Sequence, residues 1–197
     1  MNFEFMPLRT KLFLMRWSGA VLAGGRSSRF GRDKALYVYK GKPLIGWVLD
    51  SMAAASERLV IANRPYPGLE VYPDLWRGGD TLSGLHSALA HAQEDWVAVA
   101  ACDQPFLSQD FWLFMLEHTR SDIRAVVASS GNFLEPLGAL YHKSLEGEVL
   151  LRLEAGQLQV QALLKGIPHI ALDKTELETR FGTHLFLNAN YLNDLPA

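Results

Sequence analysis

Four basic residues follow a glycine pair in the stretch GAVLAGGRSSRFGRDKAL, which occupies residues 19–36. The pair, Gly24 and Gly25, comes directly after a short apolar run. Glycines at the end of a buried strand let backbone N–H groups approach an anion without obstruction by side chains. Arg29 and Lys34 can bring cationic donors to the same anion. The stretch therefore predicts a phosphate-binding loop, and an exposed basic loop is the alternative interpretation.

Polar residues that end three other apolar runs are further candidates for chemistry. Asp103 ends the continuous run DWVAVAACD (95–103), where a carboxylate is poorly solvated unless it meets a cation. Mg²⁺ is the natural cation near phosphates, because one or two carboxylates and phosphate oxygens usually hold it. A turn or capping role before Pro105 is the alternative for Asp103, and Asp74 has the same two interpretations. Asn63 either ends a strand or hydrogen-bonds a base or ribose.

The elements that position these residues alternate along the chain, since short apolar runs alternate with amphipathic ones. The predicted strands cover residues 19–23, 58–63, 69–74, 95–103, 124–130, 134–142 and 169–173. The predicted helices cover residues 43–55, 81–93, 108–119, 144–156 and 159–166. We therefore predict a single α/β, Rossmann-like domain of three layers, with a mostly parallel, mixed sheet and helices on both faces. Ligands bind beyond the carboxyl ends of such strands, so the residues that end the strands should converge on one crevice.

Composition indicates a soluble, cytoplasmic domain. The 197 residues are 49% hydrophobic with a net charge of −2, so the basic stretch is local and we expect no nucleic-acid partner. One cysteine, Cys102, excludes an internal disulfide and favours a reducing compartment, and we interpret it as a buried structural thiol. No apolar run approaches the roughly 20 residues that span a bilayer, so we expect no membrane partner. The six histidines lack metal-ligand spacing, and we interpret them as structural or solvent-exposed.

Nine motifs occur in order from about residue 19 to the C-terminus. They are LAGGRSSRFGRDKAL (22–36), GKPL (41–44), ANR (62–64), YPD (72–74), LSGLHSAL (82–89), ACDQPF (101–106), EPLGALY (135–141), AGQLQVQALL (155–164) and LNAN (187–190). This set resembles the sugar-nucleotidyltransferase-like superfamily and, more narrowly, the molybdenum cofactor guanylyltransferases. Members of that family transfer GMP from GTP to the phosphate of molybdopterin, which usually already carries molybdenum, and release pyrophosphate. The resemblance implies GTP and molybdopterin or molybdenum cofactor as ligands, and cofactor-delivering or cofactor-accepting molybdoenzyme proteins as partners.

The resemblance also implies roles for individual residues. Those assigned to nucleotide binding are Leu22, Ala23, Gly24, Gly25, Lys34, Asn63, Asp74, Gly84 and Asp103. The residues expected to be catalytic are Arg29, Lys34 and Asp103. Asp103 is also expected to hold Mg²⁺, the implied cofactor. Asn188 and Asn190 fall where the family has polar residues near the active site, in the neighbourhood of substrate or metal.

Two departures from the family pattern concern the nucleotide and leave alternatives open. The stretch GGDTLSG (78–84) stands where members commonly have Gly-Pro, and Ile61 stands where they often have a polar residue. A cytidylyltransferase that uses CTP on the same pterin is one alternative, although Gly24 stands where that branch tends to have alanine. A sugar-phosphate nucleotidyltransferase is another, but such chains are usually longer. A non-catalytic nucleotide-binding regulator is expected to lose Lys34 or Asp103, and this sequence has both.

The N-terminal residues MNFEFMPLRTKLFLMRWSG lack the apolar centre and the small-residue cleavage site of a signal peptide. We expect residues 1–15 to be an N-terminal extension, either native or an artefact of start-site assignment. Residues 16–197 are expected to form the nucleotidyltransferase domain, because they contain all the motifs and no repeat or linker.

Overall fold

The structure is a computed structural model that describes residues 15–24, 33–76, 78, 80–191 and 194–196. In these ranges the strands are β1 (Ser18–Leu22), β2 (Val38–Tyr39), β3 (Lys42–Pro43), β4 (Glu57–Ile61), β5 (Val71–Tyr72), β6 (Trp96–Ala101), β7 (Ala125–Ser130), β8 (Phe133–His142) and β9 (His169–Asp173). The helices are α1 (Leu44–Ser51), α2 (Asp80–His91), α3 (Gln109–Leu116), α4 (Glu146–Glu154), α5 (Val160–Gly166) and α6 (Lys174–Phe181), with 3₁₀ turns at Lys34–Leu36 and Lys143–Leu145. The expected N-terminal extension lies outside the described residues, except for Met15.

Seven strands form a mixed sheet in the order β5-β4-β1-β6-β8-β7-β9, and β2 pairs with β3 in a separate hairpin. Neighbours in the large sheet are parallel except at β8, which runs antiparallel to β6 and β7. The chain places β4 and β5 on one side of β1 and then crosses to β6 on the other side. Strand order therefore reverses between β1 and β6, and ligands bind in the crevice at such a point.

Helices cover both faces of the sheet. On one face α1, α3 and α6 bury residues such as Val48 and Trp112. On the other face α2, α4 and α5 bury residues such as Leu85 and Leu163. The predicted three-layer α/β domain with a mostly parallel, mixed sheet is confirmed. None of the helices in the described part of the chain combines the length and the apolar character that crossing a membrane requires.

The reversed direction of β8 follows from a tight turn after β7. Ser130 pairs with Phe133, which leaves two residues in the turn. Gly131, the first of them, has a φ of 59°, and the favoured two-residue hairpin turns need such a positive φ. The next strand therefore returns alongside β7 without a crossover helix.

A bulge in β8 makes room for the C-terminal segment. The register between β7 and β8 shifts between Val126 and Ala128, and Gly138 in the bulge has a φ of 73°. A Cβ atom on Gly138 would lie 3.1 Å from Cε1 of Phe186. The bulge thus lets the Phe186 ring pack on β8, close to the carboxyl ends of the parallel strands.

Two elements were not predicted from the sequence. The β2–β3 hairpin turns through Lys40 and Gly41, whose φ values are 47° and 82°. Helix α6 begins after Asp173, whose side chain accepts a hydrogen bond from the backbone N–H of Glu176 at 3.0 Å. An N-cap aspartate is a common signal for a helix start, so the sequence did contain an indication of α6.

Several predicted elements are shorter in the structure, and two of them show why. Strand β5 lies at the edge of the sheet and pairs only through Val71 and Tyr72, instead of covering residues 69–74. Helix α1 ends at Ser51 rather than residue 55. The next residue, Met52, leaves the helical conformation, and its side chain packs against Gly19 of β1.

Candidate active site

The carboxyl ends of three neighbouring strands meet at the crevice. Hydrogen bonds continue the strand pairing just past the ends, where the Ala23 N–H donates to the Ile61 carbonyl at 2.9 Å. The Cys102 N–H donates to the Leu22 carbonyl at 3.0 Å. The residues that follow β1, β4 and β6 are therefore held side by side by backbone geometry.

Lys34 joins side chains from two distant parts of the chain. Its Nζ donates to Oδ2 of Asp103 at 2.6 Å and to Oδ1 of Asn190 at 2.9 Å. The side chains of Lys34 and Asp103 are only 16% and 12% exposed, so solvent screens their attraction less than on an open surface. The fold thus assembles a cation, a carboxylate and an amide that the sequence analysis assigned to the site.

Local hydrogen bonds fix the backbone around this cluster. Oδ1 of Asp33 accepts from the Ala35 N–H at 3.0 Å and caps the 3₁₀ turn that carries the lysine. Buried Gln104 accepts from the Ala101 N–H through Oε1 at 2.9 Å, which fixes the turn that follows β6. The sequence analysis did not single out Asp33 or Gln104, although each is a polar neighbour of a predicted site residue.

The C-terminal segment is fixed to the same turn. The buried Ala189 donates its N–H to the Asp103 carbonyl at 2.9 Å. The Asn190 N–H donates to Oδ2 of Asp194 at 2.8 Å, and it also lies 2.8 Å from the Asn188 carbonyl. The structure therefore brings Asn190 to the lysine, whereas Asn188 lies two residues earlier on the same segment.

Asn63 and Asp74 form a reciprocal pair beyond β4 and β5. Asn63 Nδ2 donates to Asp74 Oδ2 at 2.8 Å, and the Asp74 N–H donates to Asn63 Oδ1 at 3.0 Å. Burial raises the pKa of the Asp74 carboxyl, and the Asn63 hydrogen bond opposes part of that rise. A Cβ atom on Gly24 would lie 3.4 Å from Asp74 Oδ2, so the end of β1 lies against the pair. A cleft of about 640 Å³ opens beside it and is lined by Ala62, Asn63, Arg64, Pro65, Val71, Pro73 and Gly78.

Gly84 brings helix α2 onto the end of β1. A Cβ atom at Gly84 would lie 3.0 Å from Cδ1 of Leu22, so only glycine permits this approach without a shift. Ala23, the next residue of the chain, is buried. The Ser87 hydroxyl of α2 accepts from the Leu75 N–H at 2.9 Å and holds the loop that follows Asp74. Leu22, Ala23 and Gly84 thus belong to the packed wall of the crevice.

The remaining predicted site residues lie outside the described part of the chain, and the side chains of His86 and Cys102 have structural surroundings. Gly25 and Arg29 lie outside the described residues. Among the residues that are described, no group of three or more His, Cys, Asp or Glu side chains could hold a metal. Buried His86 places Nε2 3.1 Å from Oε1 of Glu146, between two helices. Burial raises the pKa of the Cys102 thiol to about 12, which makes it a poor nucleophile at neutral pH.

The oxygens around Lys34 have the chemistry of a magnesium site. Asp103 Oδ2 and Asn190 Oδ1 both accept from one ammonium group, so they already converge on a single cation. Proteins usually hold Mg²⁺ by one or two carboxylates, with substrate phosphates and water completing the shell. A carboxylate oxygen and an amide oxygen are therefore donor types that suit Mg²⁺.

Comparison with known protein families agrees with this geometry. Residues 19–173 match the MobA-like NTP transferase domain. The chain belongs to the MobA-like NTP transferase family. The matched residues contain β2 to β9 and all of β1 except its first residue, together with Lys34, Asp74 and Asp103.

Members of the MobA-like family resemble this chain over most of its length. A Deinococcus radiodurans protein described as a probable molybdenum cofactor guanylyltransferase is 39% identical over 184 residues, which cover 90% of this chain and 91% of that protein. A Bacillus cereus protein with the same description is 29% identical over 190 residues, covering 90% and 92% of the two chains. The crystal structure of molybdopterin-guanine dinucleotide biosynthesis protein A from Archaeoglobus fulgidus superposes with a TM-score of 0.77 at 25% identity, covering 90% of this chain and 94% of that one. The family resemblance predicted from the motifs is confirmed.

Proposed function

We propose that this chain transfers GMP from GTP to the phosphate of molybdopterin or of the molybdenum cofactor, with release of pyrophosphate. Membership of the MobA-like family makes it a nucleotidyltransferase, and the relatives similar over most of its length are described as molybdenum cofactor guanylyltransferases. The structural observation that carries the proposal is the Lys34 ammonium held by Asp103 at 2.6 Å at the point where strand order reverses.

In this proposal Asp74 reads the base. Guanine presents an amino donor and a neighbouring ring N–H on one edge, whereas cytosine presents an amino donor next to an acceptor. An ionised carboxylate only accepts hydrogen bonds, so it suits the two donors of guanine better than the mixed edge of cytosine. The hydrogen bond from Asn63 fixes the orientation of the carboxylate beside the cleft, which Asn63 itself lines.

Lys34 binds the phosphates of the nucleotide. Its ammonium exchanges part of its contact with Asp103 and Asn190 for phosphate oxygens, and Arg29 supplies a second cationic donor. Asp103 would hold Mg²⁺, which would neutralise further phosphate charge. Transfers of this kind depend mainly on positioning and charge neutralisation.

The transfer is a direct in-line displacement at the α-phosphorus of GTP. An oxygen of the pterin phosphate forms the new P–O bond, and the bond to the oxygen that bridges to the β-phosphate breaks. That oxygen leaves with the electron pair as part of pyrophosphate. No covalent enzyme intermediate is involved, and the protonated thiol of Cys102 is not suited to form one.

We place this reaction in the cytoplasm, as the single cysteine favours. The protein partners proposed are those that deliver the pterin or receive the finished cofactor. The substrates GTP and molybdopterin follow from the family of guanylyltransferases that the chain resembles.

Calorimetric titration of the chain with GTP, CTP, ATP and UTP in the presence of Mg²⁺ tests the proposal. GTP should bind more tightly than CTP by a few kcal/mol, because the site reads an edge that differs between the bases. Equal or tighter binding of CTP would move the assignment to cytidylyl transfer. If none of the four nucleotides binds, nucleotidyl transfer itself would be contradicted.

A further inference from the structure

An ion pair joins the residue before Lys34 to the residue after Asn63. Arg64 Nη2 donates to Asp33 Oδ1 at 3.1 Å, and Arg64 Nε lies 3.1 Å from Asp33 Oδ2. The guanidinium thus donates one hydrogen bond to the carboxylate and lies within ion-pair distance of its other oxygen, and a charge-assisted hydrogen bond of this kind is among the stronger ones. The pair connects the lysine side of the crevice with the side that carries the cleft.

Tyr66 ties this ion pair to the end of β1. Its buried hydroxyl donates to the Ala23 carbonyl at 3.0 Å and accepts from Arg64 Nε at 3.0 Å. The same oxygen lies 3.4 Å from Oδ1 of Asp33. Burial raises the pKa of Tyr66 to about 12, so the hydroxyl keeps its proton at neutral pH. The three side chains therefore hold both flanks of residues 25–32.

The position of Asp33 determines the position of the lysine. Oδ1 of Asp33 caps the 3₁₀ turn whose first residue is Lys34. The Arg64 and Asp33 side chains are 41% and 21% exposed, and partly exposed ion pairs of this kind contribute little to stability. A displacement of about 1 Å in a group that positions substrate can nevertheless cost about a hundredfold in rate. The network is therefore suited to orientation rather than to holding the fold together.

We infer that Asp33, Arg64 and Tyr66 form a positioning strut. The strut holds Lys34 at a fixed position relative to the end of β1 and to the cleft beyond β4. The effect of the strut on the transfer reaction rests on the proposed function, whereas its effect on the position of the Lys34 side chain does not. The strut residues act through the lysine and do not themselves contact the reacting atoms.

A double-mutant cycle with Asp33→Asn and Arg64→Gln tests the strut in the transfer reaction. The amide introduced at position 33 would retain an oxygen for the Ala35 N–H, so the cap survives while the ion pair is lost. Each single variant should lower kcat/KM for guanylyl transfer by about tenfold or more, with the loss mainly in kcat and little change in melting temperature. Because both changes break the same ion pair, kcat/KM of the double variant should be no lower than that of the less active single variant. Arg64→Lys keeps the charge but loses the planar guanidinium that donates to both Asp33 and Tyr66, so it should recover only part of the activity.

The matched control is Arg124→Gln. Arg124 also pairs with a carboxylate, that of Glu148, at 3.2 Å with similar exposure, but it precedes β7 on the far side of the sheet from β4. Its loss should leave kcat/KM unchanged. Losses that multiply in the Asp33/Arg64 double variant would overturn the inference, because they would mean that Arg64 acts on the nucleotide independently. Unchanged activity in both single variants would also overturn it.

A measurement without substrate separates the strut from the proposed reaction. Acetylation of lysines by a dilute N-hydroxysuccinimide ester, quantified by mass spectrometry, reports how well Lys34 is held against Asp103. Lys34 should react faster in Asp33→Asn and Arg64→Gln than in the wild type, while Lys174, paired with Glu135 at 2.7 Å, reacts equally in all three. An unchanged Lys34 rate would overturn the strut even if transfer is normal. If the acetylation rates follow this pattern but the wild type transfers no GMP from GTP, the proposed function is wrong and the strut is not.

Discussion

Replacing Asp74 by asparagine tests whether a carboxylate reads the base. The change keeps the shape of the side chain and removes its charge, and Asn63 can still hydrogen-bond the remaining oxygen. A two-point contact between a side chain and a base contributes about 1–3 kcal/mol of discrimination against the wrong base. Differences of that size correspond to about 5–150-fold in affinity. The ratio of GTP to CTP affinity should therefore fall by about this factor in Asp74→Asn.

The same substitution should not weaken the fold. Burial raises the folded-state pKa of Asp74 above its unfolded value, which is about 3.9. The folded protein then holds the proton more tightly than the unfolded chain, so this group's contribution to stability falls as the pH rises from the unfolded to the folded pKa. Above that window the destabilisation stays constant. The Asp74→Asn variant has no ionisable group at this position and so lacks this destabilisation. At pH 7.5 it should therefore melt at or above the wild-type temperature. The difference in melting temperature should vanish in acid.

Calorimetry with GTP and CTP, together with thermal melts between pH 4 and 8, measures both effects. Asp50→Asn is the matched control, because Asp50 is an exposed aspartate on α1 that pairs with Lys42. The control should keep the wild-type preference for GTP. Full retention of that preference in Asp74→Asn would refute base reading by the carboxylate. A melting temperature several degrees below wild type at pH 7.5 would refute the argument from burial.

Three further substitutions test other parts of the site. Lys34→Ala should lower the transfer rate by about 10²–10³-fold while circular dichroism stays native, and wild-type turnover would exclude the phosphate-binding role. Asp103→Asn should fold normally and lose nearly all transfer at every Mg²⁺ concentration; a rate that recovers fully at high Mg²⁺ would show that the charge is dispensable. Gly138→Ala should destabilise more in urea unfolding than Gly131→Ala, because both glycines have positive φ but only Gly138 also has the Phe186 ring 3.1 Å from the Cβ position. Equal losses would mean that the ring contact is unimportant.

The layered fold and the ends of the parallel strands could be predicted from the sequence. Continuous apolar runs bounded by turn residues identify buried strands, and the topology of α/β sheets brings their carboxyl ends to one edge. Those two rules were enough to place Asp103, Asn63 and Asp74 in the same crevice. They do not depend on which side chains pair, because backbone hydrogen bonds fix the strand ends.

The pairing of side chains could not be predicted in the same way. Contacts such as Lys34 with Asn190, or Asp33 with Arg64, join positions 156 and 31 apart, and no local pattern specifies which distant partner a charged residue meets. The route of the C-terminal segment depends likewise on a bulge at Gly138, which appears in the sequence only as an isolated glycine. The strut and the Asn190 contact therefore emerge from the fold, not from the motifs.

The most direct test of guanylyl transfer is a product analysis with the purified chain, molybdopterin, Mg²⁺ and either GTP or CTP labelled at the α-phosphate. Label from GTP should appear in a guanine dinucleotide of the pterin, with one pyrophosphate released for each dinucleotide formed. The label from CTP should stay in the unreacted nucleotide. A cytosine dinucleotide as the main product, or label trapped covalently on the protein, would contradict the account.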